Sequence, residues 1–543
     1  MQRPNILWIS FEDTNPFYGC YGDPVARTPN VDRLAAQGCR YPQTFSTAGV
    51  CAPARCAIIT GMYAISVGAH HMRTTHQNRQ TPEMPTPYSV LLPPHVKCFT
   101  EYLRAAGYYC TNNDKTDYQF DPPLTAWDEL STTAHWRNRP DPRQPFFAVF
   151  NLIQTHESSL WENDARKGPY SIPDVELTFD PKDMRLPPYF PDTPKVREAM
   201  ARMYTRIEAN DRRLAEILQQ LDDDGLAENT VVVHWSDHGP LPRGKRWPYD
   251  SGIHVPLIVR WPGHVQTGSV SERLVSTIDL GPTMLSLAGV PIPYHIQGRA
   301  FLGAQEAAPR EYIFASRDRH DESYDRVRAV RDQRFKYIRN YHPELPRAMW
   351  FPYLNRHPIM QELWRLHCAN ELSGAQSLLF EPRAVEELYD TQTDPWEIQN
   401  LAADVQHRGD LTRLRAALDG WLDEVGDMGA IGEHEMVRRW YPDGKQPPTA
   451  APLFVPISAE KPGIDAAPAG GTIQGRGPLL LQLHCATQGA SIAYTFESGA
   501  TPRWKLYTSP LRLPAGETTV RARAIRIGYA ESEEREAKLC ITD

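Results

Sequence analysis

Apolar residues along this chain fall in short, nearly continuous runs set apart by amphipathic stretches, a pattern that predicts strands alternating with helices. The run "PNILWIS" at residues 4–10 gives way to polar residues, and "TPNVDRLAAQG" follows with a capping-type start and a glycine stop. The same alternation recurs. "VKCFTEYLRAAGYY" has helical period, "FFAVFNL" is an apolar strand, and "VREAMARMYTRIEANDRRLAEILQQLDDDG" is a long amphipathic helix closed by Gly225. "TVVVHWSDHG" and "VPLIVRWPG" supply two further strands. Strands this uniformly apolar need cover on both faces, so the expected fold is α/β, a mostly parallel central sheet with helices on either side. In such sheets ligands sit beyond the carboxyl ends of the strands. Three apolar runs end in polar clusters, "FED", "QTHES" and "SDHG", and these are expected to meet at one rim.

The texture changes near residue 440. "KQPPTAAPLFVPISAEKPGIDAAPAGGTIQG" is rich in Pro, Ala and Gly and reads as a linker or extended arm. After it come "LLLQLHC", "SIAYTF", "WKLYTSPLRL", "TTVRARAIRIGY" and "AKLCIT", short strands punctuated by turn residues. The expected division is a catalytic domain with its own C-terminal subdomain over 1–440, a linker over 441–469, and a small all-β sandwich over 470–543.

A chain of 543 residues is too long for one small core, which agrees with a large catalytic unit plus an appended module. Its net charge of −8 provides no basic field to hold nucleic acid or an anionic membrane, so neither is expected as a partner, and an anionic substrate must be held by local charge. Nine cysteines without repeating spacing do not form a disulfide scaffold. The opening "MQRPNILWISFED" lacks the features of a secretory leader. A cytoplasmic location is expected for the chain as given, or a periplasmic or secreted one if a leader was removed.

The stretch "GVCAPARCAIITGMY" sets Cys51 at the mouth of a helix-like run, with Arg55 one turn along. Backbone N–H groups at a helix start favour an anion. These residues alone leave open a reactive thiol or a structural cysteine beside a surface arginine. Cys51-x-Pro53-x-Arg55 followed by Thr60-Gly61 resembles the signature of the formylglycine-dependent sulfatases of the alkaline-phosphatase-like superfamily, with Ala54 where the familiar form has serine. The resemblance implies that Cys51 is oxidised after synthesis to an aldehyde. Its hydrate carries two hydroxyls: one attacks sulfur and displaces the alcohol, and the other, once deprotonated, collapses to the aldehyde and expels sulfate.

Further blocks over roughly residues 4–401 are similar to the same family, nearest its sulfamidase and bacterial glycan sulfatase branches. The opening strand implies metal ligands Glu12 and Asp13, and "VVVHWSDHG" implies Asp237 and His238. "RGKRWPYDSGIHVPLIV" resembles the block that carries a sulfate-binding lysine, here Lys245, and "ELYDTQTDPWEIQNLA" resembles the closing segment. Hard carboxylate oxygens suit Ca²⁺, while the imidazole of His238, where many relatives offer an amide oxygen, keeps Mn²⁺ and Mg²⁺ as alternatives. Lys115 lies in "NNDKTDYQF", where the family usually reads Gly-Lys-x-His. It is expected to pair with a sulfate oxygen, and the contact of the missing histidine passes to Asp117 or is lost. His156 matches the histidine that contacts sulfate and the leaving oxygen, and His70 and His71 resemble histidines that face substrate in sulfamidase relatives. The C-terminal segment resembles the small sandwich of some chitobiases and hexosaminidases, which inclines the substrate toward carbohydrates.

The resemblance therefore implies a sulfatase acting on a sulfated small molecule or glycan, cleaving a sulfate ester or sulfamate. It also implies one partner during maturation, the formylglycine-generating enzyme. Two other readings stand beside it: a phosphonate monoester or phosphodiester hydrolase of the same superfamily, and a non-catalytic glycan-binding protein if Cys51 stays unmodified.

Overall fold

A computed structural model of the chain describes residues 3–77, 80–161 and 175–542. It contains two compact units, one made of Met1–Arg73, Asn78–Glu83 and Val149–Ala430, the other of Thr74–Gln77, Met84–Ala148 and Ile431–Asp543. Among the described residues no helix is long and apolar enough to cross a membrane.

The first unit is built on the expected sheet. Asn5–Phe11 is buried along its whole length and pairs in parallel with Thr230–Trp235, Asn5 opposite Thr230 and Ser10 opposite Trp235. That register brings both strands to their carboxyl ends together, so whatever follows Phe11 emerges beside whatever follows Trp235. The strand Phe146–Leu152 flanks Asn5–Phe11 on the other side. Beyond Thr230–Trp235 the sheet becomes mixed, because Leu257–Arg260 runs antiparallel to it and to Cys39–Arg40. The long helix spans Pro194–Asp223, capped by the Thr193 hydroxyl, which accepts from Val196 N, and followed by Gly225 in the left-handed region at φ 67°. From this helix Asp211 accepts from the backbone N–H groups of Asn30 and Val31, capping the Pro29–Gln37 helix from outside.

A second sheet in this unit orders Ile313–Arg317, Val327–Arg331, Phe335–Asn340 and Glu386–Asp390 as an antiparallel meander. The helix Arg408–Val425 lays Leu414, Leu418 and Trp421 against its Val330, Tyr337 and Leu388. This sheet follows the central one in the chain and belongs to the same compact unit.

In the second unit, four of the five runs expected as strands form, while "WKLYTSPLRL" divides into Lys505–Leu506 and Leu511–Leu513, which join different sheets. Leu479, Leu481, Leu483, Val520, Ala522, Ala524, Leu539 and Ile541 alternate inward to make the core. Leu453–Ile457, inside the stretch read as a linker, is a strand paired antiparallel with Leu479–His484. The same unit locks this β module to residues 84–148. Lys97 donates to the Gly489 carbonyl and to Ser491 Oγ (2.9 Å), and Arg104 donates to the Trp504 carbonyl (2.7 Å) and to Asp128 (2.8 Å). Gly528, at φ 89°, sits so near the backbone of Leu91 that a side chain there meets main-chain atoms. Substituting Gly528→Val combines a left-handed backbone with overpacking, and an expected loss of about 1–3 kcal/mol in denaturant unfolding checks the docking. An unchanged midpoint contradicts it.

Candidate active site

The two parallel strands deliver four candidate ligands to one place. Glu12 and Asp13 follow Asn5–Phe11, Asp237 and His238 follow Thr230–Trp235, and all four are buried. Asp13 takes a left-handed backbone conformation (φ 47°), which turns its side chain out of the strand direction, and its N–H donates to Asp237 Oδ1 at 3.1 Å. The helix Cys51–Thr60 begins at the same spot and is buried on every side. The side chains of Glu12, Asp13, Cys51, Asp237 and His238 each offer an atom within 4.8 Å of all the others.

Packing sets where that helix starts. Arg246 N donates to the Gly49 carbonyl at 2.6 Å, and a Cβ on Gly49 would collide with the backbone of Trp247, so only glycine lets the two loops approach. Arg55, one turn after Cys51 on the same face, then reaches the cluster from within the helix. Its Nε donates to Asp237 Oδ2 (3.0 Å), its Nη1 to Asn151 Oδ1 (3.1 Å), and its Nη2 to Glu12. Asn151 is itself fixed by the Ser10 hydroxyl at 3.0 Å.

His238 Nδ1 donates to the Gly239 carbonyl at 2.9 Å, so the lone pair of the neutral ring lies on Nε2. Nε2 faces the cluster, 3.1 Å from Cys51 Sγ and 3.3 Å from Asp13 Oδ1. A ring anchored through one nitrogen to a carbonyl while the other points inward is the usual arrangement of a metal-ligating histidine. The donor set of three carboxylates and one imidazole fits a divalent cation.

On the far side of Asp13 runs a ladder of buried ion pairs. Lys245 Nζ lies 2.5 Å from Asp13 and 3.0 Å from Glu157; Glu157 accepts from both terminal amino groups of Arg246 (2.8 and 3.1 Å); Arg246 pairs with Asp321, and Asp321 with Arg73. Glu157 N also donates to Asp13 Oδ2 at 2.8 Å. Burial drives the carboxyl of Asp13 above its ordinary pKa, opposed chiefly by the charge of Lys245. Burial works in the same direction on Glu157, but there Arg246 and Lys245 outweigh it and the pKa falls well below the carboxylate range. Burial alone would discharge Lys245; Asp13 and Glu157 hold it protonated. Among the described residues joined by these ion pairs, and not counting His238, five carboxylates (Glu12, Asp13, Glu157, Asp237, Asp321) face four fixed cations (Arg55, Arg73, Lys245, Arg246).

Of the residues expected at the site, Cys51, Arg55, Glu12, Asp13, Asp237, His238 and Lys245 come together. His156 is at the same rim through its neighbour Glu157, with its Nδ1 2.8 Å from Ser158 Oγ. His70 and His71 are buried, with ring centroids 4.3 Å apart, and Met72 beside them packs with Val50, Cys51 and Ala52. Lys115 and Asp117 belong to the second compact unit, where they pair at 3.3 Å. Sequence reading passed over Asn151, Glu157, Arg246 and Asp321. Glu157 and Arg246 adjoin residues that were named, Lys245 next to Arg246 in "GKRW" and His156 next to Glu157 in "THES", and that adjacency was the signal available.

A family model described as Sulfatase matches residues 4–290, and one described as N-sulphoglucosamine sulphohydrolase, C-terminal, matches 238–351. An ulvan-active sulfatase of Formosa agariphila is 40% identical over 98% of this chain and 91% of its own length. Human N-sulphoglucosamine sulphohydrolase is 29% identical over 78% of this chain and 91% of its own. Among solved structures, a protein in complex with its substrate D-glucosamine-2-N,6-O-disulfate has a TM-score of 0.55 at 18% identity, covering 79% of this chain and 100% of the other. The phosphonate monoester hydrolase of Agrobacterium radiobacter has a TM-score of 0.56 at 19% identity, covering 78% and 96%. At these identities the structural likenesses establish the fold alone.

The ladder carries a stability prediction. Glu157→Gln leaves Lys245 and Arg246 with one carboxylate each inside the protein, and the expected loss is about 3 kcal/mol in urea unfolding, the lower end for breaking a buried pair because each cation keeps one partner. A loss under about 1 kcal/mol, within the range of solvent-exposed pairs, would show that Glu157 is not the charged centre of the ladder.

Proposed function

The chain belongs to the sulfatase family, and on that premise we propose that it releases sulfate from a sulfated carbohydrate, with residue 51 acting as formylglycine beside a divalent cation held by Glu12, Asp13, Asp237 and His238. The observation that carries the reading is the position of Cys51, whose sulfur lies 3.1 Å from His238 Nε2 among those four ligands. The ulvan-active relative aligns along nearly the whole chain, which supports a glycan substrate and makes ulvan fragments the first to try.

When bound, the cation screens the sulfate ester's charge, polarises the attacking hydroxyl, and turns a one-charge excess of carboxylate into a one-charge excess of cation, matching a monoanionic ester. The chain's own residues do the rest. Arg55 holds Glu12 and Asp237 in fixed orientation and lies one turn below residue 51. Lys245 has three donors, two directed at Asp13 and Glu157 and the third assigned here to a sulfate oxygen. His156 is assigned to the leaving oxygen as proton donor. Once modified, residue 51 supplies two hydroxyls, one to attack sulfur and one whose deprotonation releases sulfate.

Four outcomes are expected. In active protein the tryptic peptide Tyr41–Arg55 carries an aldehyde or its hydrate at position 51, and Cys51→Ala abolishes sulfate release while metal content holds; an alkylatable thiol in fully active protein overturns the mechanism. Lys245→Ala lowers kcat by on the order of a hundredfold, and Asp237→Ala loses bound metal as well as rate, measured by elemental analysis. The panel runs ulvan fragments, N-sulfated glucosamine, an aryl sulfate and an aryl phosphonate at equal concentration. Turnover of the phosphonate alone defeats the sulfate reading.

A further inference from the structure

The ion ladder that starts at the ligand cluster ends at a side chain built differently from its other members. Arg55, Lys245 and Arg246 are all but sealed, whereas the side chain of Arg73 is 27% exposed. Arg73 also has a left-handed backbone (φ 61°), a conformation costing an L-residue on the order of 1 kcal/mol, so its placement is held by its surroundings. Those surroundings fix the guanidinium. Nε is committed to Asp321, and the guanidinium carbon lies 3.8 Å from the centroid of the Tyr353 ring. Tyr353 also engages the guanidinium through its hydroxyl, and an arginine held in this way is a rigid cation whose remaining terminal N–H groups suit a carboxylate or sulfate.

The neighbourhood resembles a sugar site more than a structural ion pair. Tyr353 stands edge-on to Trp161 at 4.6 Å. Two large aromatics in the adjoining loops are unusually exposed, Tyr324 at 47% and Trp350 at 55%, and Ser323 Oγ donates to the Trp350 carbonyl at 2.9 Å, joining those loops. Two buried histidines add donors. His71 Nδ1 accepts from Arg319 N and His357 Nδ1 from Ile359 N, each at 3.2 Å, so the proton of each neutral ring is on Nε2, and neither Nε2 has a hydrogen-bond partner among the described residues. Burial lowers the pKa of both, to about 4 for His357, which keeps them neutral. A buried donor left unmatched costs about 1–3 kcal/mol, a cost that a bound hydroxyl or carboxylate removes.

We propose that Arg73 anchors a second anion position, distinct from the sulfate that is cleaved, which selects carbohydrate substrates bearing a further carboxylate or sulfate. The proposal rests on the sulfated-carbohydrate reading above. It explains how a chain of net charge −8 favours a polyanionic substrate: the local cation, and not the overall field, does the selecting.

The test uses the full chain with Cys51→Ala, which prevents turnover, and calorimetric binding of three synthetic sulfated disaccharides. One carries a neighbouring uronic acid, one is its carboxyl-reduced twin, and one is neutral apart from a second sulfate. Arg73→Gln is expected to weaken the uronate or the disulfated ligand at least tenfold more than the reduced twin. Whichever ligand shows the excess identifies the anion. Arg73→Lys, which keeps the charge without the guanidinium, should recover part of the loss. The unfolding midpoint of each variant is recorded; Asp321 retains Arg246, so the fold is expected to hold. Equal losses on all three ligands, or no loss on either dianionic one, overturn the proposal. Sulfate release from the same disaccharides by the unsubstituted protein is measured alongside. If none is released, the sulfated-carbohydrate reading fails, while the binding ratios still decide the role of Arg73.

Discussion

Three carboxylates buried side by side are the constraint on which this structure depends. Removing even one carboxylate from water costs several kcal/mol unless its charge is matched, and Glu12, Asp13 and Asp237 stand at the ends of two adjacent strands with almost no exposure. Arg55 grips two of them and Lys245 the third. A residual excess of negative charge is left at the point where Cys51 Sγ and His238 Nε2 face the cluster. Charge this costly to bury unmatched supports the proposed cation at that point.

Much of the fold serves that balance. Parallel pairing of Asn5–Phe11 with Thr230–Trp235 is what makes two distant acidic pairs neighbours. The close approach at Gly49 joins the loop carrying Lys245 and Arg246 to the start of the Cys51 helix, so Cys51 and those two cations are positioned by the same contact. The meander of the following subdomain contributes at a distance, because Asp321, in the loop between its first two strands, neutralises Arg246 and passes the ladder on to Arg73.

The central sheet was legible because its strands are apolar runs with polar tails, and the candidate ligands Glu12, Asp13, Asp237 and His238 of the buried cluster were legible because each lies in such a tail. What was not legible depended on pairing over long separations. Nothing near Arg246 announces Asp321, 75 residues away. The meander escaped notice because its strands "IFASR", "VRAVR" and "FKYIRN" carry arginines that break the apolar pattern. Arg317 and Arg328 are nevertheless fully buried, paired with Asp325, Asp318 and Asp427. Pro456 likewise disguised the Leu453–Ile457 strand within a proline-rich stretch.

The central claim is that this charge balance defines one cation site at which residue 51 reacts. Anomalous diffraction from crystals of the intact protein loaded with Mn²⁺ tests it most directly. The account predicts a single strong peak within the cluster, bounded by the carboxylates of Glu12, Asp13 and Asp237 and by His238 Nε2, with the side chain of residue 51 facing it. A peak elsewhere, or none at this cluster in protein that hydrolyses sulfate esters, contradicts it.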